Sequence, residues 1–269
     1  MKGLHEIMHL FLTCFLGLCL AHLLTDFVLQ SDRMISRKKR GAALAYAEHG
    51  AIHFFSAALF LGFAIPGLAI SSGFYASILA LTLVHLGIDW LKLRLVRPET
   101  LADGAATFLG DQAVHGLTVF LTAWLIIRPP FGTLLAKVHW AQSAIQKPLV
   151  VSVVYIGVIF GGGYIVRFLT KPLTKQDMSI LGETANEMQN AGMYIGWLER
   201  FVVLTALVLQ SPATVGLILT AKSIARYPEM KSVRFAEYFL IGTLLSMSLG
   251  IIGGLILLKV LYGVITLSK

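Results

Sequence analysis

Four pairs of residues in this chain have the types and spacing to hold a metal ion or to move protons. They are His22 with Asp26, His49 with His53, His85 with Asp89, and Asp111 with His115. Each pair is spaced i, i+4, so on a helix its members stand one above the other on one face. Imidazole and carboxylate are the side chains that ligate divalent ions and serve as general bases. Gln30 continues the first stripe at the same spacing. We take the eight residues as ligands of one site. Their chemistry suits zinc first, with iron or manganese as alternatives that the ligand set does not separate. The competing reading is a set of interhelical hydrogen bonds without metal, a common feature of membrane bundles.

The segments that carry these pairs are apolar. The chain is 57% hydrophobic and 13% charged, with a mean hydropathy of +0.78. A soluble domain carries about 25% charged residues, so this composition is that of an all-α, polytopic membrane bundle. The net charge of +8 fits basic cytoplasmic loops and not nucleic-acid binding. Cys14 and Cys19, five residues apart on one helix, point to different faces and imply neither disulfide nor metal site. No small-residue cleavage site follows the first apolar run, so it is expected to stay as a membrane helix.

Apolar segments are expected at about 7–30, 49–71, 74–95, 105–127, 148–167, 193–210 and 235–267. A shorter one at 213–227 either spans the membrane or is re-entrant, giving seven or eight segments in all. Three units follow: a four-helix metal-site unit over 1–127, an external connection over 128–147, and a C-terminal helical unit over 148–269. The connection has an amphipathic stretch around Leu134 to Ile145 that suits the outer membrane surface. Gly161-Gly162-Gly163 permits a kink or a close helix contact, and residues 171 to 193 read as a cytoplasmic loop with a surface helix. The cluster Arg33, Arg37, Lys38, Lys39 and Arg40 favours the cytoplasmic side. It puts the N-terminus outside and 31–48, 92–104 and 167–176 inside. His5 and His9, at the other end of segment 1, read as interfacial histidines.

Depth is what joins the four pairs. Segments 1 and 3 run one way and carry their pairs late; segments 2 and 4 return and carry theirs early. All four pairs therefore share one level, near the cytoplasmic end. An internal repeat points the same way. His22-Leu-x-x-Asp26-Phe27 matches His85-Leu-x-x-Asp89-Trp90, with His49 27 residues after His22 and His115 30 after His85. Two tandem hairpins related by an axis along the membrane normal would produce this pattern. A charged Asp at mid-membrane costs about 2.5–3.5 kcal/mol on insertion scales. Three of them facing inward around a cation avoid that penalty. Lys92 reads as a snorkelling side chain. Thr25 and Thr118 could orient ligands from behind, and Gln30 and Gln112 are weaker candidates.

The second half carries ionisable residues within apolar runs: Glu199, Arg200, Lys222, Arg226 and Glu237. They either neutralise one another or form an anion pocket, since Arg and Lys are the usual phosphate binders. Gly192-x-x-x-Gly196 could let helices approach closely.

The run His-Leu-x-x-Asp-Phe-x-x-Gln, followed by His-x-x-x-His, His-x-x-x-Asp-x-x-Lys and Asp-Gln-x-x-His, resembles a family of bacterial integral membrane proteins, domain of unknown function 3307. The resemblance is clearest over residues 10 to 125. Runs around Glu199-Arg200, Lys222 to Arg226 and Glu237 look like a C-terminal extension found in some members. The family brings no activity with it. It implies the inner (plasma) membrane of a bacterium. In logic the site is similar to that of seven-helix intramembrane hydrolases of the adiponectin-receptor and ceramidase type, an analogy only.

The function expected is a metal-dependent intramembrane hydrolase. A bound metal would activate water near neutral pH, with Asp26, Asp89 or Asp111 as catalytic carboxylates. No Ser or Cys nucleophile motif stands out. The substrate would be a membrane lipid or lipid-linked molecule whose anionic head group meets Arg200, Lys222 and Arg226. A divalent-metal or proton-coupled transporter, or an assembly subunit with a structural metal, are the alternatives. A homo-oligomer is compatible with all three.

Overall fold

The structure is a computed structural model that describes residues 2–68, 71–96, 104–130, 143–174, 178–231 and 233–263. The described residues are helical, with no strand among them. The chain divides into two compact units, Met1–Val153 and Val154–Lys269. Among the described residues, five stretches are long and apolar enough to cross a membrane: His5–Phe27, Ser72–Leu95, Ala105–Ile127, Gln146–Thr170 and Phe235–Tyr262.

In the first unit, α1 (Lys2–Phe27), α3 (Ala43–Ala64), α4 (Ser72–Leu95) and α5 (Ala105–Ile127) close in a ring. α1 packs on α3, α3 on α4, α4 on α5, and α5 back on α1. A two-fold axis that carries the α1–α3 hairpin onto the α4–α5 hairpin generates the same ring of neighbours.

Four-residue spacing decides which face turns inward. On α3 the inner stripe is His49, His53, Ala57 and Leu61, each at most 1% exposed, while Phe55, Leu59 and Phe63 on the far side are 67%, 68% and 82% exposed. Leu117, Leu121 and Leu125 form the matching outer stripe of α5. In water such stripes would be an aggregation hazard; against acyl chains they lose nothing. The ring interior is layered. Phe11, Cys14, Leu18 and Ala21 meet Ala57, Leu61, Phe74, Ile78, Leu81, Val119 and Ala123 in an apolar layer, and the polar pairs lie beyond it at the other end.

Several elements differ from what the sequence alone suggests. α1 stops at Phe27, so Gln30 leaves the helical stripe. The basic stretch forms a short helix, α2 (Asp32–Lys39), capped by the Ser31 side chain, which accepts from the Met34 amide. Asp32 in its first turn and Arg37, Lys38 and Lys39 in its last suit the helix dipole. Gly41, at φ 76°, reverses the chain into α3. α3 begins six residues before His49 and ends at Ala64, with Ile65 as its C-cap ahead of Pro66.

α6 (Gln146–Ile156) begins in the first unit and passes, in the second, through a π-helical turn, Gly157–Gly161, into α7 (Gly162–Thr174). The glycine-rich run thus admits a π-bulge, one of the recognised causes of a helix irregularity. α8 (Met178–Val208) is one continuous helix of 31 residues, so the expected loop and surface helix join segment 6. α9 (Ala213–Ala225), 13 residues long, is too short to span the bilayer, and α10 (Val233–Tyr262) is the last span. A Cβ on Gly250 would lie 2.8 Å from Val203, one on Gly253 2.7 Å from Val158, and one on Gly254 would overlap Leu207. These glycines are where α10 meets α8 and the π turn. Gly192 has open space around it, so Gly192-x-x-x-Gly196 is not a crossing point. Most of the amphipathic stretch proposed around Leu134 to Ile145 lies outside the described residues.

Candidate metal centre

The layering of the ring brings all four pairs to one end of its interior. His22, His49, His53, His85 and His115 are each at most 5% exposed. The side chains of Asp26, Asp89 and Asp111 are 11%, 14% and 5% exposed.

The eight residues resolve into overlapping groups. In the first, Asp26 Oδ1 lies 3.4 Å from His49 Nε2 and 3.3 Å from His85 Nε2. Those two nitrogens are 2.9 Å apart. Asp89 Oδ2 completes the group, 3.4 Å from His49 Nε2 and 4.0 Å from His85 Nε2. In the second, His115 Nε2 faces Asp89 Oδ1 at 3.5 Å and Asp111 Oδ1 at 3.6 Å. Asp89 therefore belongs to both, through different oxygens. Two further groups, Asp26 with His85 and His115, and His22 with His53 and His85, also have ligand atoms within 4.8 Å of one another, the latter with no carboxylate to offset an ion's charge.

Ligands 2.0–2.2 Å from a tetrahedral ion stand about 3.3–3.6 Å from each other. The separations in the first group scatter around that edge. Four buried atoms in the cluster also lack hydrogen-bond partners: His22 Nδ1, Asp26 Oδ1, Asp111 Oδ1 and His115 Nε2. Buried polar atoms are nearly always paired. Unpaired buried carboxylate oxygens and imidazole nitrogens are what a ligand set presents, so these residues fit a divalent metal.

Groups behind the ligands fix their orientation. The Gln30 amide lies 3.2 Å from His49 Nδ1, Thr82 Oγ1 shares a 3.0 Å hydrogen bond with His53 Nδ1, and His22 Nε2 donates to Gln112 Oε1 at 3.3 Å. Turning the Gln30 amide over lets its oxygen accept a proton from His49 Nδ1, which leaves the His49 Nε2 lone pair for metal. Thr25 and Thr118 bond to backbone carbonyls instead, at Ala21 and His115.

Two lysines complete the site. Lys38 Nζ is 2.6 Å from Asp89 Oδ2 and Lys92 Nζ is 2.8 Å from Asp111 Oδ2. Lys92 keeps a side chain 31% exposed, so it reaches the interface and anchors a ligand at once. Lys38 is 3% exposed and was not anticipated. Its signal was present: Met34 and Lys38 are four apart and both turn inward from α2.

Arg200, Lys222 and Arg226, expected to bind substrate, belong to the second unit. Arg200 is 3% exposed and donates through Nε and Nη2 to Ile159 O at the π turn and through Nη1 to Ser246 Oγ. Gly163 and Gly196 leave room for its guanidinium. Lys222 is paired with Glu199 at 2.8 Å. The donors of Arg200 and Lys222 are thus engaged within their own unit.

Fold and cluster together define a polytopic helical membrane protein with a buried His/Asp centre in its first unit. Residues 14–143, which include every member of that centre, match the family described as "Protein of unknown function (DUF3307)". No curated protein and no solved structure matches the chain.

Proposed function

We propose that the protein is a metal-dependent intramembrane hydrolase, acting on a lipid or lipid-linked substrate with an anionic head group. The observation that carries this is the convergence of Asp26 Oδ1 and Asp89 Oδ2 on His49 Nε2 and His85 Nε2, at separations of 2.9 to 4.0 Å, inside an apolar ring. Zinc suits this mix of nitrogen and oxygen ligands, and iron or manganese could replace it. When bound, the ion would acidify a water and polarise the bond to be cleaved. Asp111 is placed to take a proton, because its Oδ1 is buried and free of hydrogen bonds. Lys92 holds the other oxygen and keeps the carboxylate aimed inward. The exposed Arg33 and Lys39 of α2 and Arg40 at its C-terminal end, all within five residues of Lys38, offer a basic face to an anionic head group. The basic 31–48 segment supports a site near the cytoplasmic side of a bacterial inner membrane.

A second reading has its own support. Gln30, His49, His85 and His115 form a continuous chain at 3.2, 2.9 and 3.1 Å. Such a chain can pass protons, as in a proton-coupled transporter. Purified protein incubated with a bacterial lipid extract, with and without added zinc, tests the first reading through release of a water-soluble head group. Metal or proton flux into liposomes with no product released would favour the second.

A further inference from the structure

α2 brings a cation of its own to the metal centre. Lys38 Nζ lies 2.6 Å from Asp89 Oδ2, the oxygen that also faces His49 Nε2 and His85 Nε2. It stands 5.8 Å from the centre of the Tyr46 ring as well. An ammonium on that oxygen supplies the positive charge that a metal ion would otherwise supply. An ion 2.0–2.2 Å from Asp89 Oδ2 would stand less than about 5 Å from the ammonium, and like charges so close repel strongly where water is excluded. The charge count points the same way. With neutral imidazoles, the carboxylates of Asp26, Asp89 and Asp111 face Lys38 and Lys92 and leave one negative charge. A divalent ion added to that set leaves one positive charge. Added with one lysine withdrawn, it leaves none.

Which lysine withdraws follows from how each is carried. Lys92 belongs to α4, a wall of the ring, and binds Asp111. Lys38 belongs to a helix of 8 residues. Irregular backbone joins that helix to the ring at both ends. On one side the hinge falls after Gln30, whose amide is held at His49. On the other side Gly41 has φ 76°, and a Cβ built there meets nothing within 4 Å, so the reversal is not packed in place. α2 rests on α3, turns Met34 and Lys38 inward, and adds the Arg37–Glu48 pair at the surface. Few interactions therefore have to break for Lys38 to leave.

Resting on the reading that this cluster binds metal, we propose that α2 is a latch on the centre: Lys38 and a divalent ion compete for Asp89, and binding of the ion releases α2 from the polar end of the ring. Asp26 and Asp89 have the least buried side chains of the centre. α2 stands beside Asp89, so its release widens the way in from that side. The exposed Arg33, Lys39 and Arg40 then hold the freed segment near anionic lipid. The site opens to a lipid head group once the ion that activates water is in place.

The experiment uses the full chain in detergent, with zinc as the one ion added, and reads amide hydrogen exchange alongside zinc affinity. So short a helix is not stable on its own, so a released α2 unwinds and its amides exchange. Zinc should speed exchange of the α2 amides by about 5–150-fold, the usual range for two coupled sites, and a chelator should reverse it. By reciprocity Lys38→Met, which leaves the ion no competitor, should bind zinc more tightly by a factor in the same range. Zinc bound to wild type with α2 exchange unchanged or slowed would overturn the latch and leave the metal site intact. Equal zinc affinity in wild type and folded Lys38→Met would do the same. Faster exchange in α3, α4 and α5 as well would show a general loosening and also overturn it. If Lys38→Met does not fold, the exchange measurement on wild type still decides. Zinc bound by neither chain would overturn the metal reading itself, and the latch with it.

Discussion

The Lys38–Asp89 pair permits a prediction whose size follows from burial. Lys38 is 3% exposed and its ammonium lies 2.6 Å from Asp89 Oδ2. Asp89→Asn keeps the volume and removes the charge, leaving a buried ammonium with no counter-ion. Breaking a buried pair in this way costs about 3–5 kcal/mol, because the surviving charge cannot return to water. The adjacent residue supplies the control. Arg37 pairs with Glu48 at 2.8 Å, a geometry almost as good, but the two side chains are 26% and 39% exposed. Glu48→Gln should therefore cost no more than about 1 kcal/mol. Lys38→Met/Asp89→Asn should regain most of the loss, since both charges are gone. The assay is reversible unfolding of chelator-treated protein in mixed micelles, which removes any contribution from metal. If Asp89→Asn is no more destabilising than Glu48→Gln, or if the two substitutions at the buried pair simply add, then Lys38 is not held inside the ring as described.

Three further outcomes are expected. Gln30→Ala should weaken zinc affinity by about 10–100-fold without abolishing it, as measured by competition with a fluorescent chelator, because Gln30 orients His49 from behind, whereas Thr82→Val, which touches only His53, should leave it unchanged. Gly254→Val should destabilise the second unit by about 1–3 kcal/mol through overpacking against Leu207, seen as faster proteolysis there, with zinc content unchanged. Tryptophan placed at Leu59 should be quenched by brominated acyl chains, and tryptophan at Ala57, which is 0% exposed, should not.

Much of the first unit was legible because two periodicities coincide there. The same four-residue step that places His49 and His53 on one face of α3 places Phe55, Leu59 and Phe63 on the other. α5 runs over Ala105–Ile127, the span its apolar run suggests. The common depth of the four pairs needed only the alternation of helix direction. What sequence did not reveal was set by chain reversals. Gln30 approaches His49 because α1 ends at Phe27, and Lys38 reaches Asp89 because α2 turns back at Gly41. A dense basic stretch reads as a solvated loop, and nothing in its composition marks the one lysine that enters the ring. The split of the cluster into two groups was likewise hidden, since it depends on which oxygen of Asp89 faces which imidazole. In the second half, the polar run before Met193 concealed a helix that continues unbroken through Val208. The pairing of Lys222 with Glu199 fits the neutralising alternative, whereas Arg200 finds a carbonyl freed at the π turn, which no residue count could anticipate.

The most direct measurement is an anomalous difference map from crystals of the zinc-loaded protein, with data above and below the zinc edge. The predicted result is density inside the α1–α3–α4–α5 ring, about 2.0–2.2 Å from Asp89 and from either His49 and His85 or His115. A map with no anomalous density among these residues, from protein shown to be folded and exposed to zinc, would contradict a metal centre and leave the cluster as a network of hydrogen-bonded imidazoles and carboxylates.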